Sequence, residues 1–189
     1  MVASSVALKE WSVVVEALGT GDQLLLVRKG GIQDPKGAFQ LEHREFLFYP
    51  TREHQRAEAI RPDFRDRFQK AFTQLDDPQE VTFAVYGGVA FCAEIRDPAQ
   101  LAGLEKYHIW TPEFFKERMS YRPQSPTLVV LLRAYRLKPP VRHPVEPEYA
   151  GCKSWVNLGL PVSVEGAEPV VDNRRFRQIL EEAASYFAE

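Results

Sequence analysis

Two short segments near the N-terminus concentrate side chains that can bind an anion or transfer a proton. In the first, the cationic pair Arg28 and Lys29 runs directly into Gly30 and Gly31. Glycines let backbone amides approach an anion closely, and the cations attract it over a longer range. The segment lacks the spacing and the Lys-Ser/Thr ending of a Walker phosphate loop. The pattern therefore predicts either an anion contact or a simple glycine turn.

The second segment places a histidine on each side of an apolar run. His43 precedes the run Phe46 to Tyr49, which has the character of a buried strand, and His54 follows it. A histidine can serve as an acid, a base or a ligand near neutral pH. Glu42 and Glu53 stand beside the histidines, but their spacing differs from the His-Glu-x-x-His zinc pattern. We therefore predict no metal and no cofactor, and His54 can equally be a polar group that fixes local loops.

A third feature is a long stretch without acidic residues. From residue 118 to residue 145 there is no Asp or Glu, although the whole chain is slightly acidic. Alternation along a strand puts Arg133 and Tyr135 on one face and Arg136 on the other. Such a surface suits phosphates and stacked bases, unless its arginines pair with acids of neighbouring helices. The cationic residues are Arg118, Arg122, Arg133, Arg136, Lys138 and Arg142.

Two weaker patterns leave catalysis open. Cys152 precedes a lysine, which could lower the pKa of its thiol, and His43, His54 or His143 could lie near it in space and serve as a base. Glu94-Ile95-Arg96 is the nearest match to the acid-x-Lys pattern of restriction-type nucleases, with arginine in place of lysine. The sequence therefore does not decide whether the protein is an enzyme. Two distant cysteines, Cys92 and Cys152, do not make a disulfide framework.

The elements that must position these groups do not alternate regularly between strand and helix, which disfavours a doubly wound sheet. We predict an α+β fold with a small curved mixed sheet or a partly closed barrel, flanked by helices. Apolar spacing predicts a first helix that contains Leu8, Trp11, Val15 and Leu18, with Ser4 or Ser5 as its cap.

Further along the chain, Gly87 and Gly88 lie between two β-rich runs. This predicts a hairpin, or alternatively a glycine bulge in one long strand. Thr127 to Leu137 is the strongest strand pattern, Thr111-Pro112 begins a helix, and Asp172 or Asn173 begins a terminal helix.

Length, composition and charge limit the kinds of protein that this chain can be. The chain has 189 residues, of which 44% are hydrophobic and 26% charged, with a formal net charge of −2. We predict one domain over residues 1–160 and a C-terminal extension, 161–189, whose helix packs on that domain. The charge argues against a bulk electrostatic nucleic-acid binder, although local patches remain open. Without a signal peptide or a long apolar run, we expect a cytoplasmic protein with no membrane partner.

Five segments together resemble an uncharacterised bacterial family, domain of unknown function 1802. They read ALKEW, RKGG, EHREF, PTREHQ and GCKSW, and the likeness reaches to about residue 158. This resemblance implies no particular activity.

A fold-level likeness is more informative. Phe46 to Thr51 resembles the Leu-Phe-Tyr-His-Ser strand of the EVE-type members of the PUA-like superfamily, and Gly87 to Ala90 resembles their next strand. The resemblance implies a small curved barrel that binds RNA or modified bases in a pocket. Here Pro50-Thr51 replaces the His-Ser pair, and the aromatic cage is not identifiable.

We therefore expect a protein that binds nucleic acid or a nucleotide-like anionic ligand in a basic, aromatic pocket. One alternative is a small hydrolase or metal-dependent nuclease that uses His54 with Cys152 or carboxylates. Another is a non-catalytic protein-interaction module. The expected ligand-binding residues are Arg28, Lys29, Gly30, Gly31, His43, Tyr49, Thr51, His54, Gln55, Arg133, Tyr135 and Trp155.

Overall fold

The computed structural model describes residues 2–29, 39–74, 77–121 and 123–187. Gly30 and Gly31 lie outside these ranges. The strands are β1 Ala3–Trp11, β2 Leu25–Arg28, β3 Glu45–Thr51, β4 Glu80–Ile95, β5 Thr127–Pro144, β6 Trp155–Ser163 and β7 Glu168–Pro169. The helices are α1 Ser12–Thr20, α2 Pro62–Arg67, α3 Gln69–Thr73, α4 Pro112–Ser120 and α5 Asn173–Tyr186. Short 3-10 turns span Ala57–Ala59, Pro98–Leu101, Glu105–Tyr107 and Pro147–Tyr149.

The strands form one mixed sheet in the order β2-β5-β4-β3-β1-β6, and β7 pairs with β5. β1 and β3 are parallel, and the other described strand pairs are antiparallel. The predicted α+β fold with a curved mixed sheet and flanking helices is confirmed. In the described residues, no hydrogen-bonded ladder joins the edge strands β2 and β6, so the sheet remains open.

The predicted N-terminal helix is wrong in its first half. Residues 3–11 form β1, which lies between β3 and β6, and the helix begins only at Ser12. Val6, Ala7 and Leu8 are buried in succession because both faces of this interior strand are covered. Pairing with two strands from distant parts of the chain therefore outweighs the local helical spacing.

The glycine pair at 87–88 does not form a hairpin. β4 continues through both glycines for 16 residues, as the alternative of one long strand predicted. Its register shifts lie elsewhere, at Phe83/Val85 and Val89/Phe91. An added Cβ at Gly87 would lie 2.8 Å from Cε2 of the fully buried Phe48. The glycine therefore makes room for a core ring and does not supply a turn.

Two helices begin as their sequences predict. The Thr111 hydroxyl accepts a hydrogen bond from the amide of Phe114 and Pro112 opens α4, while the Asp172 carboxylate accepts one from the amide of Arg175 at the start of α5. α5 packs on β4 and β5 through Phe176, Ile179 and Ala183. β6 runs past residue 160 to Ser163.

Across the described ranges, every helix falls short of the length and apolarity needed to cross a membrane.

Candidate anion-binding site

A small cavity lies where the parallel strands β1 and β3 end side by side. Trp11 pairs with Thr51 at this end of the ladder, and the carboxyl ends of parallel strands are a common place for ligands. The cavity has a volume of about 190 Å³. It is lined by Lys9, Glu10, Trp11, Val27, Arg28, Thr51, Glu53, His54, Trp110, Phe114, Arg118, Gly151, Cys152 and Lys153. We call it the cationic cavity.

Charge in the cationic cavity is unbalanced. Four cationic side chains, Lys9, Arg28, Arg118 and Lys153, line it together with only two carboxylates. One of the carboxylates, Glu10, is already paired, because its Oε2 lies 3.0 Å from Nη1 of Arg28. The lining therefore carries an excess of positive charge even when every carboxylate is counted, and it favours an anion.

Three N–H donors of the lining have no acceptor among the described residues. They are Nε of Arg28, Nε of Arg118 and Nε1 of Trp110, and all three atoms are buried. A buried donor without an acceptor costs about 1–3 kcal/mol, and such donors are rare in native structures. They are donors that the described fold itself leaves without an acceptor.

Arg118 lies close to other charges. Burial lowers the pKa of its guanidinium, the neighbouring charge of Arg28 lowers it further, and Glu10 opposes these shifts. Behind it, Lys29 lies away from the cavity and donates from Nζ to the carbonyl oxygen of Met119, 2.6 Å away, in the last turn of α4. Burial and then Arg118 lower the pKa of Lys29. Three cations thus stand close together around the end of α4.

An aromatic wall bounds the other side of the cavity. Trp110 stacks on Phe114 with their ring centroids 4.1 Å apart, and Trp11 meets Trp110 edge to face at 5.3 Å. The guanidinium of Arg118 lies 5.8 Å from the centroid of Phe114. Apolar walls lower the local dielectric, so the cations they enclose attract an anion more strongly than they would in water.

His54 stands at the mouth of the cavity in an unusual conformation. It is exposed and has a φ of 60°, the left-handed region that non-glycine residues rarely adopt. The turn places its ring beside Thr51 and Glu53 in the cavity lining. Backbone strain of this kind clusters at functional sites, where the surrounding structure maintains it.

A wider cleft adjoins the cationic cavity. It has a volume of about 850 Å³ and shares Lys9, Thr51 and Glu53 with the smaller cavity. Its lining has the opposite charge balance, with the carboxylates Glu16, Glu53, Asp77, Glu80 and Glu146 against the cations Lys9, Arg52 and Arg142. We call it the acidic cleft.

Lys9 stands at the junction of the two spaces. Its Nζ donates to the carbonyl oxygen of Gly151 at 2.9 Å and lies 5.7 Å from the ring centroid of Tyr49. Burial lowers the pKa of this lysine, and Glu53 opposes that shift. In the cleft, Tyr49 meets Tyr149 edge to face, and burial raises the pKa of Tyr49. A ligand that entered both spaces would pass from a cationic end to a carboxylate-lined end beside aromatic rings.

The structure divides the residues that were predicted to bind a ligand. Arg28, Thr51 and His54 line the cationic cavity, and Tyr49 lines the acidic cleft.

Other predicted residues are engaged elsewhere. Gln55 accepts from the amide of Val13 on α1 and donates to the carbonyl oxygen of Ala71 on α3, so its side chain links the two helices. His43 lies edge to face on Trp155, whose Nε1 donates to the carbonyl oxygen of Gln40. Neither His43 nor Trp155 lines the cationic cavity or the acidic cleft.

Arg133 and Tyr135 lie apart from both spaces. Arg133 donates to the carbonyl oxygen of Val171 and to Oδ1 of Asn173, next to the start of α5. Tyr135 meets Tyr86 across β4 and β5 at 6.0 Å. The residues expected from the sequence to form one site therefore lie on separate surfaces.

Sequence reasoning missed the residues that dominate the cavity. Trp110 was not singled out, although its place just before the Thr-Pro helix start puts it on a turn. Arg118 was noticed only as the first cation of the acid-free stretch. Lys9 and Trp11 were assigned to a helix, which hid their position at the end of β1.

The lining also contains groups that could support other chemistry. Cys152 is exposed and borders the cavity with His54. Among the described residues, no three His, Cys, Asp or Glu side chains are grouped closely enough to hold a metal ion.

The fold and its cavity define a mixed α+β domain with a cationic, aromatic-lined pocket beside two parallel strand ends. The chain belongs to the family described as Domain of unknown function (DUF1802), whose sequence profile matches residues 7–182.

Among curated proteins, none matches the sequence. Of the solved structures, ASCH from Zymomonas mobilis is similar, with 8% identity, a TM-score of 0.43 and 93% of each chain covered. A structure of a mutant of that protein has 8% identity and a TM-score of 0.42, and covers 96% of this chain and 99% of its own. With TM-scores below 0.5, they add nothing to the fold description, which depends on the strand order of this chain.

Proposed function

We propose that this protein binds a nucleotide unit, either a free nucleotide or one nucleotide of a nucleic acid, with a phosphate in the cationic cavity. The observation that carries the proposal is the excess of positive charge in the cavity lining, where four cationic side chains stand with two carboxylates and one of these, Glu10, is already paired with Arg28. Phosphate oxygens are strong acceptors, and the planar fork of donors on arginine matches their geometry.

The size of the cavity supports a phosphate in preference to a whole ligand. Sites for complete small molecules are typically about 300–1,000 Å³, whereas the cationic cavity holds about 190 Å³. The rest of the ligand would extend past Lys9 and Thr51 into the acidic cleft. There the amino groups of a base would find carboxylate acceptors, and Tyr49 offers a ring for stacking.

The test is a titration that separates the phosphate from the base. Trp11 and Trp110 line the cavity, so tryptophan fluorescence reports on its occupancy. We expect a nucleoside 5′-monophosphate to change the fluorescence and the matching nucleoside to bind much more weakly. Equal affinity for the two would refute the proposal.

A matched pair of variants assigns the binding to the cavity. Arg118→Gln removes a charged donor, which should weaken nucleotide binding by about 10- to 100-fold. Arg56→Gln is the control, because Arg56 is more exposed, pairs with Glu117 at 2.5 Å and does not line the cavity. Loss of binding in both variants would point to general surface charge instead.

A thiol-dependent hydrolase is the second candidate, favoured by the presence of Cys152 and His54 on one cavity. Cys152→Ser should then abolish hydrolysis of ester or phosphodiester substrates while nucleotide binding persists. Wild-type protein that turns over none of these substrates would leave binding as the function.

A further inference from the structure

Four arginines lie around the start of α5, away from the cationic cavity. Arg174, Arg175 and Arg177 are exposed on the first two turns of the helix, and Arg133 of β5 binds residues beside the start of the helix. Arg133 is held there by its bonds to Val171 and Asn173, with its guanidinium 4.6 Å from the ring centroid of Phe176. We call this group the α5 arginine face.

The α5 arginine face is not explained by helix stability. The N-terminal end of a helix carries partial positive charge, so cations in the first turn are unfavourable by about 0.3–1 kcal/mol each. The first turn of α5 contains no acidic residue, and its cap Asp172 supplies one carboxylate. The arginines around this end of the helix therefore leave a local excess of positive charge.

Nearby acids do not neutralise these charges either. Among the described residues, none of the four arginines has an ion pair within 4.0 Å. Glu182, further along α5, is paired with Lys106 at 2.5 Å and accepts from the hydroxyl of Tyr107; these bonds, and more weakly the charge of Arg175, lower its pKa. The face therefore keeps most of its positive charge for an external anion.

The position of the face relates it to the cationic cavity. The cavity contains Trp11, just before α1, whereas Gly21 at the other end of α1 lies against Val171, beside the α5 arginine face. α1 has nine residues, so its two ends are about 14 Å apart. A mononucleotide cannot reach from one to the other, but a polynucleotide can.

We infer that the ligand is a nucleic acid strand whose backbone phosphates bind the α5 arginine face while one nucleotide occupies the cationic cavity. The inference rests on the proposed function and deepens it, because it distinguishes a polymer from a free nucleotide. Tyr135 stands 5.6 Å from the guanidinium of Arg133 and adds a ring on which a base can stack.

The experiment compares one oligonucleotide with one mononucleotide on the same variants. The variant Arg174→Gln/Arg175→Gln/Arg177→Gln removes three charges but keeps the Asp172 cap. Glutamine is a good helix former, so the helix should persist, which circular dichroism checks. The control Arg67→Gln/Arg96→Gln/Lys116→Gln removes the same charge from exposed sites outside α5 and outside both cavities.

For a single-stranded probe of about 12 nucleotides, within the 4–16 nucleotide range of single-strand sites, we expect a selective loss. The α5 variant should bind it about 10- to 100-fold more weakly at 0.1 M salt, with the slope of log K against log salt smaller by about 2. Its affinity for the mononucleotide should not change, and the control should keep most of the oligonucleotide affinity.

Other outcomes identify which idea fails. If the wild type binds the mononucleotide but gains nothing from the longer strand, the inference is wrong and the proposed function stands. If neither probe binds, the proposed function itself is wrong. If polyglutamate or anionic vesicles compete as well as the oligonucleotide, the face serves an acidic protein or a membrane, and the inference is overturned. An equal loss in both triple variants also overturns it.

Discussion

Arg28 and Glu10 form an ion pair across the open side of the sheet, with 3.0 Å between Nη1 and Oε2. Arg28 ends the edge strand β2, whereas Glu10 lies on β1, and three strands separate β2 from β1 in the sheet order. Only strong curvature brings these two residues together. Arg28 also donates from Nη2 to Oγ of Ser154 at 2.9 Å, just before β6. The Arg28 side chain therefore links the two sides of a sheet in which no ladder between described residues joins β2 to β6.

Removing the carboxylate of this ion pair should destabilise the protein. Glu10→Gln leaves Arg28 and Arg118 facing each other with no carboxylate between them, and breaking a buried pair in this way typically costs about 3–5 kcal/mol. Urea unfolding measures the loss. Added inorganic phosphate should restore more stability to the variant than to the wild type, because the anion can take the place of the carboxylate. Equal phosphate effects on both proteins would contradict a phosphate site in the cationic cavity.

Replacing Arg118 with an apolar residue should stabilise the protein and abolish nucleotide binding. Arg118→Met keeps an unbranched side chain against Phe114 and removes a buried charge whose Nε has no acceptor among the described residues. We expect the free energy of unfolding to rise by about 1–2 kcal/mol, while nucleotide binding is lost. Thermal unfolding and fluorescence titration of the same preparation test both parts. A less stable variant would show that Arg118 has a structural role instead.

The elements that could be predicted from the sequence carry their own local signals. α4 and α5 begin at Thr111 and Asp172, whose side chains cap the first turn, and β5 is rich in β-branched and aliphatic residues. β1 could not be recognised because Leu8 and Trp11 happen to fall at helical spacing from Val15. Its strand character comes from β3 and β6, which lie far away in the sequence.

The candidate site was predictable only in part for the same reason. Arg28, Thr51 and His54 each lie near the end of an apolar run, so a local pattern could place them at one edge of a sheet. Trp110 and Arg118 reach the cavity through the packing of α4, which no local pattern encodes. The register of Trp11 with Thr51 decides which strand ends meet, and it is a property of the folded sheet.

The two adjacent glycines of β4 should respond differently to the same substitution. At Gly87 an added Cβ would lie 2.8 Å from Cε2 of Phe48, a ring that is fully buried. Gly87→Ala should therefore destabilise the protein by about 1–3 kcal/mol, since overpacking displaces a core side chain. Gly88→Ala is the control, because its nearest neighbour, Cγ of Glu45, lies 3.9 Å away. Equal effects in urea unfolding would show that the approach of Phe48 does not constrain this strand.

The protein should become less stable as the pH is lowered, because of His108. Its ring is buried against Phe115, neither nitrogen has a partner among the described residues, and burial lowers its pKa from 6.5 to about 4, with a further contribution from Arg61. Since the unfolded chain binds the proton more readily, the stabilisation is complete above pH 6.5 and is lost as the pH falls towards 4. The loss amounts to about 3 kcal/mol.

His108→Leu should remove this part of the pH dependence. The difference in unfolding free energy between the wild type and the variant, followed from pH 7 to pH 4, isolates the histidine from the titration of carboxylates. A constant difference over this range would mean that His108 is accessible to protons in the folded protein.

The backbone conformation of His54 predicts that glycine and alanine at this position differ in their effect on stability but not in their effect on binding. With a φ of 60°, a residue that has a Cβ is strained by about 1–2 kcal/mol, and glycine is not. Against this, glycine loses about 0.5–1 kcal/mol more through the greater freedom of the unfolded chain. We therefore expect His54→Gly to be more stable than His54→Ala by up to about 1 kcal/mol in urea unfolding.

Both variants should bind the nucleotide less tightly than the wild type, because both lack the ring at the mouth of the cavity. If the alanine variant were the more stable of the two, the strain would not exist. If both kept full affinity, His54 would contribute only to the turn.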